Sequence, residues 1–223
     1  SPLGELCRSL VEGAICVPMR EMPLEMYQEA VAWVTRYFHP IQVPDEVSPT
    51  LPWLLGVARQ HVALYGIKGL VFDPWNEIDH QHWHRQSETQ YISEALSKVR
   101  RFARHHQVHV WLVAHPTKMH KDTSGPYNGQ YPPPTPYDIN GSAHWYNKAD
   151  NCICVWRDQL KELQDIAEGV PHPPAPIEVH IQKVRYRAVG SLGNIGLRYQ
   201  TGRFPEGEAA LPSHAPRTRR AEK

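Results

Sequence analysis

Two short apolar runs in this sequence each end in a side chain able to do chemistry. GLVF is followed by Asp73, and VHVWLVA is followed by His115. In an open α/β sheet, ligands bind beyond the carboxyl ends of the strands. Taken alone, Asp73 reads as a turn residue beside Pro74, and a lone histidine at a strand end is usually structural. Two such residues, closing β segments joined through one helix, raise the case for one shared site. Lys118, His120 and Lys121 follow directly, at the start of a Gly/Pro/Tyr-rich loop over 116–137. Cations on a loop of this length can neutralise phosphates, and Tyr127 and Tyr131 could stack on bases. A solvated surface loop reads equally well. Near the other end of the chain, Lys183 and Arg185 are two apart and share a strand face, from which they could reach a phosphate on a neighbouring molecule. The bland alternative is an edge strand guarded by charge. Together these groups point to nucleotide chemistry beside a polyanion. His80, His82 and His84 alternate and could ligate a metal in a strand, but the segment reads as a loop and no Cys or carboxylate pattern completes the set.

Elements able to hold these residues are legible on both sides. Leu24, Tyr27, Val31, Val34 and Phe38 predict one apolar stripe of a helix over 21–38, with Pro23 in its first turn. A Pro-rich stretch follows, with a possible short strand at Ile41–Val43. A second helix is expected over about 51–65, with Leu51, Leu54, Ala58, Val62 and Tyr65 on one face and Gly66 as its stop. Leu70, Val71 and Phe72 read as a fully buried parallel strand. The next helix opens on a capping box, Ser87 with Gln90. Ile92, Leu96, Val99, Phe102 and Ala103 are its buried stripe, and Lys98, Arg100, Arg101 and Arg104 form a solvated face. After the loop come a short polar block over 138–150, where Gly141, Ser142 and Ala143 allow close packing, and then a strand at 152–156 ending in Arg157. Ile177, Val179 and Ile181 alternate with polar residues, as do Ile195, Leu197 and Tyr199, which predicts a β-hairpin turning at Gly190 and Gly193. Residues 205–223 are poor in apolar side chains and are expected to be disordered.

Composition narrows the classes. The 223 residues suffice for one domain with a real core. Lys and Arg number 24 against 23 Asp and Glu, so any basic surface must be local. No apolar run approaches a membrane span, and SPLGELCRSL lacks the layout of a secretion signal. Cys152 and Cys154 share a strand face. With Cys7 and Cys16 they are expected to be reduced thiols in a cytosolic setting.

Four ordered blocks, VFDPWNEI, SETQYISEALSKVRRFARHHQVHVWLVAHPTK, DINGSAHWYNKADNCICVWRD and QKVRYRAVG, resemble the C-terminal helicase domain of phage-type primase–helicases. These are hexameric RecA-like motors related to DnaB-type replicative helicases and to the mitochondrial Twinkle helicase. The resemblance covers about residues 1–204. It implies a mostly parallel α/β sheet flanked by helices with a C-terminal hairpin. It also implies ATP and Mg²⁺ as cofactors, single-stranded DNA and a homo-oligomeric ring as partners, no membrane, and a cytoplasmic setting in a bacterial or phage-infected cell. Asp73 is similar to the Walker B carboxylate, which holds Mg²⁺ through water, and His115 to the γ-phosphate sensor. The loop after it resembles the DNA-binding loop of the central channel, with Lys118, His120 and Lys121 as contacts. Asn147 stands where relatives carry a polar amide, and Arg157 where a residue packs near the nucleotide base. Lys183 and Arg185 resemble a trans-acting basic pair, Arg185 being the arginine finger offered to the adjacent subunit.

Two departures accompany the resemblance. No G-x-x-x-x-G-K-S/T occurs in the sequence. The catalytic glutamate of the family is also expected to precede residue 1, with SPLGELCRSLVEG similar to the stretch after it. The expectation is therefore a helicase domain truncated before residue 1. It would lack the phosphate loop and the first strand, which would lie between the strands at 108–115 and 152–156, and would be inactive alone. A primase module on the same full-length chain is a further possibility. The alternatives are a non-catalytic single-stranded-DNA-binding or oligomerisation fragment of such a helicase, and a RecA-like recombinase. The Lys-x-Arg pair and the DINGSAHWYNKAD block favour a ring helicase over the recombinase.

Overall fold

The computed structural model describes residues 2–80, 87–140, 143–158, 162–163, 166–169, 177–197 and 204. The chain divides into two units. One comprises Ser1–Phe38, His120–Pro133 and Asn151–Lys223, the other His39–Met119 and Pro134–Asp150. The tail at 205–223, Tyr199, His82, His84, Gly141 and Ser142 lie outside the described residues.

In the unit built on 39–119 and 134–150, helix α3 (Leu51–Tyr65) starts where the Thr50 side chain accepts from the Trp53 amide, with a proline in its first turn. It ends at Gly66, whose φ of 63° lets its amide bond back to the Val62 carbonyl. Strand β1 (Gly69–Phe72) follows, then α4 (Glu88–His106), then β2 (His109–Leu112). Ser87 and Gln90 form the expected capping box at the start of α4. β1 and β2 pair in parallel, Gly69 against His109 through Phe72 against Leu112. Leu51, Leu54 and Ala58 of α3 and Ile92, Ala95, Leu96 and Val99 of α4 bury Leu70 and Phe72. The strand is covered on this one face. Val71, read from sequence as part of a fully buried run, is 59 % exposed beside Trp111 at 48 %. Ile41–Val43 form no strand. Pro40 and Pro44 flank them without amide donors, and Ile41 packs on the core instead. A short helix, α5 (Ala143–Lys148), completes the unit.

In the other unit, α1 (Pro2–Ile15) packs on α2 (Leu24–Tyr37) through Val11, Ala30 and Val34. Of the stripe expected on α2, Val34 is buried while Leu24, Tyr27 and Phe38 are exposed. Ala30 is buried instead, with Val11 and Val34, so the buried face differs from the apolar pattern. Strands β3 (Asn151–Trp156), β4 (Ile177–Val184) and β5 (Gly193–Leu197) form an antiparallel sheet in that order. The hairpin is as expected, with Ile177 against Leu197 and Val179 against Ile195. Cys152, Cys154 and Trp156 share the covered face of β3, and none of the four cysteines forms a disulfide. Burial pushes the Cys152 thiol up, against the opposing pull of Lys183, its partner across the strands.

Candidate functional site

The parallel ladder does not stop where β1 and β2 end. The Val113 amide donates to the Phe72 carbonyl at 2.9 Å, and the Trp75 amide returns to the Val113 carbonyl at 2.7 Å. One step on, the His115 amide donates to Asn76 Oδ1 at 3.1 Å. Asp73 and His115 therefore emerge at one edge, both exposed, with the Asn76 side chain holding the second strand's end beside the first. The Asp73–Pro74 peptide is cis.

Behind that edge is a buried aromatic support. Trp75 is in the core and meets Trp145 of α5 edge-on at 5.3 Å between ring centroids. Trp145 Nε1 donates to the Asn140 carbonyl, and Asn140 Nδ2 donates to Glu88 Oε1 at the start of α4. Lys148 Nζ donates to the Ser93 carbonyl at 2.6 Å and contacts Ser97 Oγ at 2.5 Å, clamping the end of α5 to the middle of α4. Asn147 sits on this clamped helix with its residue surface exposed. Lys118 leaves the same unit just after Thr117, whose amide and hydroxyl both donate to the Asp138 carbonyl, at 2.7 and 2.8 Å. The root of the basic loop is thus pinned.

The remaining candidates belong to the other unit. Lys121 is exposed and lies 5.7 Å from the centroid of the Tyr131 ring; His120 is exposed beside it. The loop read as irregular contains a closed turn, with Asp122 and Gln130 backbone-bonded and Gly125 and Gly129 each at a φ of 80°. Tyr127 is not free to stack on a base: it meets Trp156 edge-on at 5.8 Å. Burial, with Glu178 and Asp158 nearby, raises its phenol pKa. Arg157 pairs with Glu162. Lys183 lies in β4 opposite Cys152, Arg185 lies in the bend just past it, and both are half-buried.

His80, the first of the three alternate histidines, is engaged at both ring nitrogens. Nδ1 lies 3.0 Å from the Tyr91 hydroxyl and Nε2 lies 3.2 Å from the Trp75 carbonyl. Among the described residues no three His, Cys, Asp or Glu side chains gather in a way that could hold a metal. A single exposed carboxylate such as Asp73 suits Mg²⁺, which keeps most of its waters and binds through one or two carboxylates plus phosphates. Asn76, Trp145 and Lys148 escape a reading of the sequence. An Asn three residues past a strand-ending Asp, and a Trp and Lys spaced by three in a polar block, carry no pattern stronger than a turn.

The fold has solved counterparts. The chain superposes on a DnaB-like replicative helicase, determined with its interactions with primase, at a TM-score of 0.61 and 18 % identity over 90 % of this chain and 48 % of that one. It superposes equally, at a TM-score of 0.61 and 18 % identity, on the ATPase domain of G40P, covering 91 % of this chain and 70 % of that one. The fold is RecA-like. In sequence, the chain is similar to the Twinkle homolog protein, chloroplastic/mitochondrial, of Arabidopsis thaliana, 38 % identical over 190 residues, 84 % of this chain and 25 % of that protein. The chain is a RecA-like domain related to Twinkle and to DnaB-like helicases, and it spans a quarter of that Twinkle relative's length. No protein-family profile matches the sequence. Among the described residues no helix is long and apolar enough to cross a membrane.

Proposed function

We propose that this chain is part of an ATP-dependent, 5′→3′ DNA helicase motor for replication, working in a hexameric ring and translocating on single-stranded DNA. The observation that carries the proposal is the shared edge of Asp73 and His115, strapped by Asn76, with the pinned root of a basic loop three residues further on. Asp73 would hold Mg²⁺ through water, the ion supplying charge stabilisation for phosphoryl transfer when bound. His115 would sense the terminal phosphate, Asn147 on its clamped helix would contact the nucleotide, and the 138–150 block would couple nucleotide state to DNA. Lys118, His120 and Lys121 would contact phosphates of the strand. Arg157 would pack near the base, and Lys183 and Arg185 would reach a nucleotide held by the adjacent subunit. A cation delivered across an interface makes hydrolysis depend on assembly.

No G-x-x-x-x-G-K-S/T occurs in the 223 residues, so no loop of that pattern in this chain cradles the β and γ phosphates. The same fact favours a second reading, a non-catalytic fragment that binds single-stranded DNA. Purified alone, the chain is expected to show no Mg²⁺-dependent ATP turnover, and detectable turnover would overturn this division of labour. In a protein joining this chain to a phosphate loop, Asp73→Asn and Arg185→Ala subunits should each be inactive alone. Mixed, they should recover part of the DNA-stimulated turnover, because some interfaces then pair an intact Asp73 with an intact Arg185. Absence of recovery would remove the trans role of Arg185.

A further inference from the structure

The end of α4 is dense in positive charge. From Ser97 to His109 the chain has no Asp or Glu. Lys98 has Glu94 one turn before it, and Arg100 pairs with Asp150 at 3.6 Å. Arg101 and Arg104 are exposed and make no ion pair among the described residues. Cations near a helix C-terminus can serve the last carbonyls. Here the backbone serves one of them: Gln107, at a φ of 53°, and Val108 both donate their amides to the Ala103 carbonyl. Arg101, Phe102, Arg104, His105 and His106 line one shallow depression. The His105 and His106 rings stand perpendicular at 4.7 Å, and Phe102 lies 4.5 Å from His106.

The place of this surface is set by the chain path. α4 runs from the carboxyl end of β1 back to the amino end of β2, and the His109 amide that opens β2 bonds the Lys68 carbonyl that precedes β1. The patch, with exposed Lys68 beside it, is therefore at the opposite edge of the parallel pair from Asp73 and His115. We propose that Arg101 and Arg104, with Lys68 and the rings of Phe102, His105 and His106, bind the phosphate backbone of a single strand of nucleic acid, at the edge of their unit away from Asp73 and His115. Guanidinium forks match phosphate oxygens, and flanking ring faces give bases of any sequence a place to stack.

The test is fluorescence anisotropy of a labelled oligo-dT strand with the whole 223-residue chain, titrated at several salt concentrations. Removing one cation that neutralises a phosphate should flatten the salt dependence by about 0.7 log units per log unit of salt, so Arg101→Glu/Arg104→Glu should flatten it by roughly 1.4. Between about 50 and 200 mM salt that difference amounts to about sevenfold in affinity. Circular dichroism checks the fold, and Arg101→Gln/Arg104→Gln gives the same direction with a smaller perturbation. Lys118→Glu/Lys121→Glu serves as the separate arm. If both pairs weaken binding independently, two surfaces bind the strand. If only the loop pair does, the patch proposal is wrong and the motor reading is untouched; if only the patch pair does, the loop assignment fails instead. No oligo binding by the wild-type chain at about 50 mM salt, where phosphate-driven binding is strong, would also overturn the patch proposal. So would patch-dependent binding to polyglutamate or to phosphatidylglycerol vesicles without binding to the oligonucleotide.

Discussion

Replacing Trp145 by alanine should cost its unit far more than a six-residue helix would suggest. The side chain is buried against Trp75, and its indole N–H donates to the Asn140 carbonyl at 2.9 Å. A buried Trp removes about 150–250 Å² from water, or roughly 4–6 kcal/mol at about 25 cal/mol per Å² as an upper bound. Measured Trp→Ala losses of about 3–5 kcal/mol agree with that scale. The hydrogen bond is a smaller part, about 1 kcal/mol, because exposed Asn140 can turn its carbonyl to water. Trp145→Phe should therefore lose only about 1–2 kcal/mol, since a ring still packs against Trp75. Urea titration followed by circular dichroism reads both. With an m-value of about 2 kcal/mol/M, a loss of about 4 kcal/mol lowers the midpoint by about 2 M. Trp111→Ala is the internal control, since Trp111 is 48 % exposed and its removal should stay under about 1 kcal/mol. Equal midpoints for the Trp145 and Trp111 alanine variants would refute the claim that α5 is docked through its tryptophan.

Two smaller perturbations test the local physics elsewhere. Ser87→Ala removes the oxygen that accepts from the Gln90 amide and should cost about 1 kcal/mol, with Ser87→Asp restoring most of it; hydrogen exchange at the first turn of α4 that does not quicken in the alanine variant would count against the cap. Glu12 Oε1 accepts from the Met19 amide at 2.9 Å and from Arg8 Nε at 3.2 Å, and these interactions, the Met19 amide first, lower its pKa from the usual 4.5. A depressed carboxyl pKa stabilises the fold above the unfolded value and loses that contribution as pH falls through the folded one. Glu12→Gln should therefore lower the melting temperature slightly at about pH 6 and match the wild type near pH 3. A difference that persists undiminished at about pH 3 would assign the effect to packing rather than charge.

What the sequence made legible has a physical pattern. Signals confined to one turn or one strand survived: the Ser87–Gln90 box, the Gly66 stop and the period of two in the hairpin all rest on neighbours in the chain. Reading Leu70–Phe72 as buried on both faces failed at Val71, because apolar content says what a strand can bury and not how many faces are covered. α1 went unread although Leu3, Cys7, Leu10 and Ala14 recur at helical steps. Its spacing was there, but what it packs on is Ala30 and Val34, which belong to the other helix. The site divides in the same way. Asp73 and His115 share one edge by the rule that successive parallel strands end together, which is topological and so readable. Asn76, Trp145 and Lys148, which hold that edge and its neighbouring helix in place, act across 39, 5 and 55 residues. Side chains of that kind have no sequence period to betray them. They need not be acidic, basic or aromatic in any pattern, only long enough to reach. The residues that could do chemistry were thus visible as types, while those that position them became visible only as distances.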